Sequence, residues 1–520
     1  MTRVRALFVV AAALTLGATV MLAPTASSPA EAAVASKPPN FIVITTDDQS
    51  MHSFKRSVMP NTYGLADHGG TKFTNGLAAP PLCCPSRAGF LTAQYPHNHG
   101  VLGNHPGYAS LIDKRNTLPV WLDGAGYRTG FVGKYLNGTS DAIGARPAPG
   151  WDSWYAIYGD PSYYGATVSD QGVRRKLSDR DYLTTQFNRK ALQFLKRGND
   201  KSPFFLWLAQ YAPHARKTKA GYCTGSLPEP LPSDLADFRQ AKLPKAPSFN
   251  ERNNSDKPPN VRRLDRLSSS DKHELTKVYR CTLASLQEVD RGVRQIVHHV
   301  KREGELDNTF IVFTSDNGVY FGEHRIPYGK ALAYEETLRV PLVMRPGRKV
   351  LGGNPVQTIA VPAAQIDLAP TFLELAGARP CRQPSDCRRM DGRSLLGLLD
   401  GFDPNWPEDR GVLAEVGRLA ASLGGRPAAR SPVGSPCGFS AIRTMNAFFS
   451  LTGGSTGVGC RDAANEFYDL QDDPFELRNR VDKPEYAETV GLLRTRLESL
   501  RRCSGVAGRD PNLPDRPFCE

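Results

Sequence analysis

Cys83 is followed by Pro85, Ser86 and Arg87, and then by an apolar helical turn that runs through Leu91. Proline suits the first turn of a helix, because the N–H it lacks would have no partner there. Cys83 is therefore expected just ahead of a helix N-terminus, where unpaired N–H groups and the dipole favour anions. Arg87 follows one helical turn later and adds a fixed cation. Such a place suits a nucleophile that attacks an anionic ester. The plain alternative is a buried structural thiol, since free cysteine is often simply buried.

Other polar groups stand at the ends of apolar runs. Phe41–Thr45 leads into Thr46-Asp47-Asp48, and the stretch from Tyr127 ends in Gly133-Lys134. Phe204–Ala209 is followed by Tyr211-Ala212-Pro213-His214, and Thr309–Thr314 by Ser315-Asp316-Asn317-Gly318. Short β-branched runs of this kind are the mark of buried parallel strands. α/β sheets bind ligands beyond the carboxyl ends of such strands, so these groups are expected to meet in one crevice. Asp47, Asp48, Asp316 and Asn317 form an oxygen-rich set suited to a hard cation. Both Ca²⁺ and Mg²⁺ take oxygen, and the larger ligand number, about six to eight, favours Ca²⁺. Three carboxylates outweigh one divalent ion, and an anionic ester adds more negative charge. Arg87, Lys134, His214 and Lys330 are the candidate balancing cations. Alone, Asp47-Asp48 would read as exposed turn carboxylates and Lys330 as a surface lysine.

The elements that must hold these groups follow from periodicity. Helices are predicted at 119–126, 182–196, 271–302 and 366–377, with one more strand at 340–344. Alternating apolar strands and helices predict a mostly parallel, doubly wound α/β domain. Residues 150–155 read as an aromatic-rich loop or edge. The polar, aperiodic stretch 215–269 reads as a substrate-facing excursion or a mobile loop. Beyond about Leu399, short strands at 411–416, 439–444, 447–451 and 466–470 precede a helix at 484–502. These predict a smaller C-terminal α+β domain with an antiparallel sheet. Residues 414–436 read mainly as a loop. The expected organisation is a signal peptide at 1–32, a catalytic domain at 33–400 and a C-terminal subdomain at 401–520.

With 520 residues the chain can bury a large core. Its formal net charge of +13 suits acidic substrates such as sulfated glycans, or an Arg-rich solvated surface. No nucleic-acid motif, zinc-type cluster or P-loop is found. Arg3 and Arg5 precede an apolar run from Ala6 to about Ala23, and Ala30-Glu31-Ala32 is similar to a cleavage site. This predicts a secreted, extracellular protein, with a single membrane anchor as the alternative. No later stretch is apolar enough to span a bilayer, so no stable anchor is expected. Ten cysteines in an exported chain imply disulfides. With Cys83 and Cys84 set aside, pairing in order gives Cys223–Cys281, Cys381–Cys387, Cys437–Cys460 and Cys503–Cys519. Order alone does not establish connectivity. A Cys83–Cys84 bridge would strain disulfide geometry.

Cys83-x-Pro85-Ser86-Arg87-x-x-x-Leu91-Thr92 resembles the signature of type I sulfatases, with Ala93 where that family usually has glycine. Asp47-Asp48, Gly133-Lys134, Pro213-His214, Asp316-Asn317-Gly318 and Lys330 follow the family's order. Tyr468-Asp469-Leu470, Asp473-Pro474-x-Glu476 and Asn479 are similar to its C-terminal motif. The resemblance is closest to the N-acetylglucosamine-6-sulfatase and heparan endosulfatase branch. It rests there on Cys83–Arg87, Tyr95–His99, Gly133–Asn137 and Gly150–Tyr155.

The resemblance implies an alkaline-phosphatase-like fold and a sulfuric ester hydrolase. It implies that a formylglycine-generating enzyme converts Cys83 to formylglycine (3-oxoalanine), whose hydrate is the nucleophile. Asp47, Asp48, Asp316, Asn317 and an oxygen of the modified Cys83 would hold one Ca²⁺. Arg87 and Lys134 would stabilise charge on the sulfuryl oxygens, with the metal. His214 and Lys330 would hold the sulfate and protonate the leaving alcohol. The expected substrate is a 6-O-sulfate on an N-acetylglucosamine-type sugar. A broad arylsulfatase, a phosphate or phosphonate monoester hydrolase and a silent glycan-binding protein stay open. Many arylsulfatases read Gly-Lys-x-His, but this chain has Leu136 there, which leaves the base for the elimination step unassigned. His97, His99 and His324 are the alternatives considered, the first two mainly as structural turn caps.

Overall fold

A run such as Phe41-Ile42-Val43-Ile44 offers no polar face, so it is stable as a strand only when both faces are covered. The computed structural model describes residues 37–197, 202–218, 222–223, 225–401, 403–417, 422–423, 426–427, 438–453 and 463–520. In it Asn40–Thr46 (β1) is a wholly buried strand near the middle of a ten-stranded sheet. The other strands are Thr71–Phe73 (β2), Arg128–Gly133 (β3), Ser153–Ile157 (β4), Thr167–Asp170 (β5), Val173–Lys176 (β6), Phe204–Ala209 (β7), Thr309–Ser315 (β8), Leu342–Arg345 (β9) and Thr358–Ile359 (β10). Their order across the sheet is β10-β2-β9-β8-β1-β7-β3-β4-β5-β6.

The centre, β8-β1-β7-β3-β4, is parallel as expected. On the flanks β9, β5 and β6 run antiparallel to their neighbours, so the sheet is mixed. The β5–β6 link shows why. Gln171 and Gly172 both have positive φ, 50° and 84°, as a two-residue hairpin requires. A link so short cannot join parallel strands. The aromatic stretch read as a loop or edge also changes: Ser153–Ile157 is β4, paired on both sides, with Trp154 4.9 Å from Phe131.

Alternation along β1 feeds two cores. Ile42 and Ile44 pack with helices Leu183–Lys196 and Ser269–Arg302, and Phe41 and Val43 pack with Cys83–Thr92 and Leu368–Ala376. The long helix Ser269–Arg302 begins with a capping box between Ser268 and Asp271. The polar stretch at 215–269 contains the hairpin strands Arg216–Thr218 and Gly225–Leu227 and the helix Pro232–Phe238. Cys223–Cys281 ties this stretch to the long helix. Cys381–Cys387 and Cys503–Cys519 are also bonded, and Cys83 and Cys84 are free and buried. The pairing Cys437–Cys460 and the leader at 1–32 lie outside the described residues. Among the described residues no helix is long and apolar enough to cross a membrane.

Past residue 410 the chain forms an antiparallel sheet of Val412–Val416 (β11), Phe439–Arg443 (β12), Ala447–Thr452 (β13) and Ala464–Asp469 (β14), against which Ala487–Leu500 packs. Residues Pro38–Glu520 form one compact unit. One rivet is Arg410, which grips Asp367 with two hydrogen bonds of 2.7 and 2.8 Å while both side chains are fully buried. Removing one partner strands the other charge in the interior. Arg410→Ala should therefore lower unfolding free energy by about 3–5 kcal/mol, read from denaturant titration. A loss under about 1 kcal/mol would show that the pair is hydrated.

Candidate active site

The parallel register places the predicted groups side by side. Thr46 pairs with Ser315, Thr45 with Ala209, and Gly133 with Ala209. Asp47, Asp316 and Lys134 thus leave the sheet at one edge, and His214 follows β7 by a short turn. Gly133 has a reason to be glycine: its φ is 130°, and a Cβ there would lie 1.8 Å from the Ala209 carbonyl oxygen. Cys83 is the first residue of its helix rather than the residue before it. That helix ends at Ala93 in the left-handed conformation, φ 54°, the place where glycine is most at ease.

All the residues predicted for the site except Lys134, Lys330 and His214 are nearly inaccessible. Asp47, Asp48, Cys83, Arg87, Asp316 and Asn317 are buried. The Cys83 Sγ lies 3.4 Å from Asp47 Oδ1 and 2.7 Å from Lys330 Nζ. Lys134 donates to Asp47 and Lys330 to Asp48. Arg87 donates through Nε to Asp316 at 2.7 Å, and through Nη1 to the Lys134 carbonyl. Its Nη2 is 3.5 Å from Asp47. Asn317 donates to Asp48 at 2.6 Å, and His214 Nε2 is 3.5 Å from Asp48. The side chains of Lys134, Lys330 and His214 keep 12, 16 and 27% exposure, so cations line the mouth and carboxylates the floor.

Electrostatics follow this layering. Burial opposes ionisation of Asp47, but Lys134, His214, Arg87 and Lys330 hold its carboxyl well below the usual range. Burial and the Asp47 charge push Asp316 up to about 6. Burial lowers the His214 pKa against the pull of Asp48 and Asp47. Burial opposes protonation of Lys134 and Lys330, yet Asp47 and Asp48 keep both pKa values raised. Burial, then Asp47, pushes the Cys83 thiol far up, so it stays protonated and is a poor nucleophile as it stands.

A divalent cation fits this donor set. The buried Asn317 Oδ1 makes no hydrogen bond. Ligand atoms of Asp47, Asp48, Cys83 and His214 all lie within 4.8 Å of one another.

The remaining histidines divide. His97 bonds Glu415 at 2.6 Å and the Cys503 carbonyl at 3.0 Å, which joins the segment after the Cys83 helix to the C-terminal sheet and its following loop. His99 accepts from the Val101 N–H at 3.0 Å, so its ring acts there as acceptor rather than donor. His324 is buried against Glu251 and belongs to a second cluster with Glu336 and Glu476. Leu136 sits in the hydrophobic core and takes no part in the chemistry. Two supporting residues were not foreseen. Tyr211 stacks on His214 with ring centres 5.0 Å apart, and the Tyr163 hydroxyl donates to the His214 carbonyl. Their only sequence signal was the placing of Tyr211 three residues before His214.

A large α/β sheet whose strand ends gather carboxylates and cations around a buried cysteine suits the hydrolysis of anionic esters. The chain belongs to the sulfatase family, whose model, described as Sulfatase, matches residues 39–378. It is 32% identical over 512 residues to the N-acetylglucosamine-6-sulfatase of Homo sapiens, covering 93% of this chain and 88% of that one. It is also 32% identical over 519 residues to the arylsulfatase of Volvox carteri, covering 92% and 77%. A solved structure of a protein in complex with its substrate D-glucosamine-2-N,6-O-disulfate shares the fold. That match has a TM-score of 0.70 at 24% identity, over 89% of this chain and 97% of the other. The protein is a sulfuric ester hydrolase with an alkaline-phosphatase-like fold.

Proposed function

We propose that this sulfatase removes 6-O-sulfate from N-acetylglucosamine-type sugars of glycans, outside the cell, after Cys83 has been converted to formylglycine by a formylglycine-generating enzyme. The observation that carries the site assignment is the closure of Asp47, Lys134 and Lys330 around Cys83. The likeness to N-acetylglucosamine-6-sulfatase supports the sugar. Sulfur is a soft donor beside four hard oxygen ligands, whereas an oxygen-bearing Cys83 would match a hard cation.

Asp47, Asp48, Asp316 and Asn317 would hold Ca²⁺, which when bound polarises the sulfuryl oxygens as a Lewis acid. Arg87 is locked by Asp316 and the Lys134 carbonyl, so its charge needs no reorganisation. Lys134 and Lys330 face the mouth and orient an anionic ester against Cys83. His214 Nδ1–H donates to the Ala215 carbonyl at 2.7 Å, so Nε2 faces the site, and with the ring in its charged form beside Asp48 it would pass its proton to a leaving oxygen. A hydrated aldehyde at Cys83 supplies the nucleophile.

Sulfate release from N-acetylglucosamine 6-sulfate, from an aryl sulfate and from the matching aryl phosphate tests this. Turnover of the 6-sulfated sugar should lead, and faster cleavage of the phosphate would overturn the reading. The net charge of +13 adds a second expectation. Activity on a sulfated polymer should fall steeply between low and physiological salt, and activity on a small aryl sulfate much less. Equal salt dependence would remove any role for the overall field.

A further inference from the structure

A second buried polar cluster lies apart from Cys83, where the loop 318–338 meets the C-terminal sheet. That loop begins next to Asn317, carries Lys330, and is closed on itself by the Gly318 N–H to the Thr337 carbonyl at 2.9 Å. Its backbone is not relaxed: His324, Arg325 and Ala331 all have positive φ, of 50°, 64° and 72°. Such conformations persist only where the surroundings impose them. For His324 and Arg325 the surroundings are the segment 248–264, and around Tyr334 and Glu335 they are C-terminal. Tyr334 donates to Glu466 at 2.7 Å, Glu335 takes two hydrogen bonds from Arg443 at 2.8 and 3.2 Å, and the Glu335 N–H donates to Glu476 Oε2 at 2.8 Å.

Glu476 differs from its neighbours. Glu335 is matched by Arg443, Glu336 by His324, and Glu251 by His324 and Lys257. Among the described residues no cation pairs with Glu476, although it is fully buried and itself has a φ of 53°. Its Oε1 makes no hydrogen bond, and neither does the facing Glu336 Oε2 or His324 Nε2. One ligand atom from each of these three residues lies within 4.8 Å of the other two.

We propose that Glu476 carries a proton, and that its neutral carboxyl is a positioning group that clamps the C-terminal subdomain onto the loop, holding Lys330 against Cys83. A proton would turn Oε1 into a donor beside Glu336, whose Oε2 has no partner, while Oε2 of Glu476 still accepts from Glu335. Burial, then the Glu335 and Glu336 charges, raises its pKa well above the ordinary carboxyl range, with His324 opposing. The Tyr320, Tyr334 and Tyr468 rings also face it, and burial keeps their phenols neutral. The C-terminal motif thereby supports the active site from behind the loop that carries Lys330. This rests on Lys330 being a working group of the site.

The test uses the full, modified chain and the variants Glu476→Gln, Glu476→Ala and Lys330→Ala. Glutamine keeps the acceptor for Glu335 and puts an N–H where the proton would be. Glu476→Gln should keep kcat within a few-fold of wild type, while Glu476→Ala should lose on the order of 10²-fold in kcat with little change in KM. A raised acid pKa contributes stability that is complete below the unfolded value and is lost as pH rises through the folded one. The melting temperature of wild type should therefore fall relative to Glu476→Gln as pH rises above the ordinary carboxyl range. This comparison decides the matter alone if Glu476→Ala does not fold. Equal impairment of Glu476→Gln and Glu476→Ala would overturn the proposal, as would an unchanged kcat in Glu476→Ala. So would metal analysis showing an ion that Glu476→Ala loses and Asp47→Asn retains, since the cluster would then hold a cation. A fully active Lys330→Ala would instead strike the site assignment.

Discussion

Cys83→Ala should abolish sulfate release, by on the order of 10⁴- to 10⁶-fold in kcat, with the fold intact. The loss is large because every other group in the site is arranged about this one atom. Its Sγ touches Asp47 and Lys330, and through them the Lys134 and Arg87 charges. None of these can replace a missing nucleophile. The structural cost should be small, about 1 kcal/mol, because only one buried heavy atom is removed. Cys84→Ala is the control. Cys84 is equally buried, but its N–H is engaged with Asn104 at 3.0 Å and burial keeps its thiol protonated. Activity should survive there. Peptide mass completes the test: loss of the thiol and gain of an aldehyde should map to Cys83 alone. An active Cys83→Ala, or a fully active preparation whose Cys83 keeps its thiol, would show that another group is the nucleophile.

Asp47→Asn should be nearly as damaging, for a different reason. Asp47 is the carboxylate on which Lys134 and Arg87 both converge. Neutralising it strands buried cations, which costs about 3–5 kcal/mol of stability. It should also remove a ligand for the divalent ion. In wild type, Ca²⁺ at about a hundred times its Kd should add about 2.7 kcal/mol to unfolding free energy. In Asp47→Asn that increment should vanish, ion content should drop below one per chain, and turnover should fall by on the order of 10³-fold. A variant that keeps its ion and its Ca²⁺-dependent stability would place the metal away from Asp47.

Most of the site was legible in the chain because strand ends are local features. Phe41–Thr45 and Thr309–Thr314 end where polar residues begin, and buried parallel strands share one carboxyl edge. Asp47, Asp316 and Lys134 could be placed together without knowing any contact. Pairing in order matched Cys381–Cys387 and Cys503–Cys519, 6 and 16 residues apart, and also Cys223–Cys281, 58 residues apart, a connectivity that order alone does not establish. The flanks of the sheet were not. Ser153–Ile157 carries aromatic residues on both faces, and its inclusion in the sheet depends on Phe131 and Phe205 lying beside Trp154 and Trp151. His324 was equally ambiguous, because nothing near it in sequence reveals Glu251, 73 residues away.

The sequence by itself determined the family and the parallel centre of the sheet, and it pointed to Cys83 and to Asp47, Asp48, Asp316 and Asn317 as the candidate nucleophile and oxygen ligands. Each of these is written in short motifs or in the period of apolar residues. Only the tertiary structure decided which cation holds which carboxylate: Arg87 with Asp316, Lys134 with Asp47, Lys330 with Asp48. It alone removed Leu136 to the core, sent His324 to a separate cluster and set Glu476 behind the loop of Lys330. The physical reason is range. Hydropathy and turn chemistry act over a few residues, whereas the pairing of buried charges is settled by which distant segments share one desolvated space.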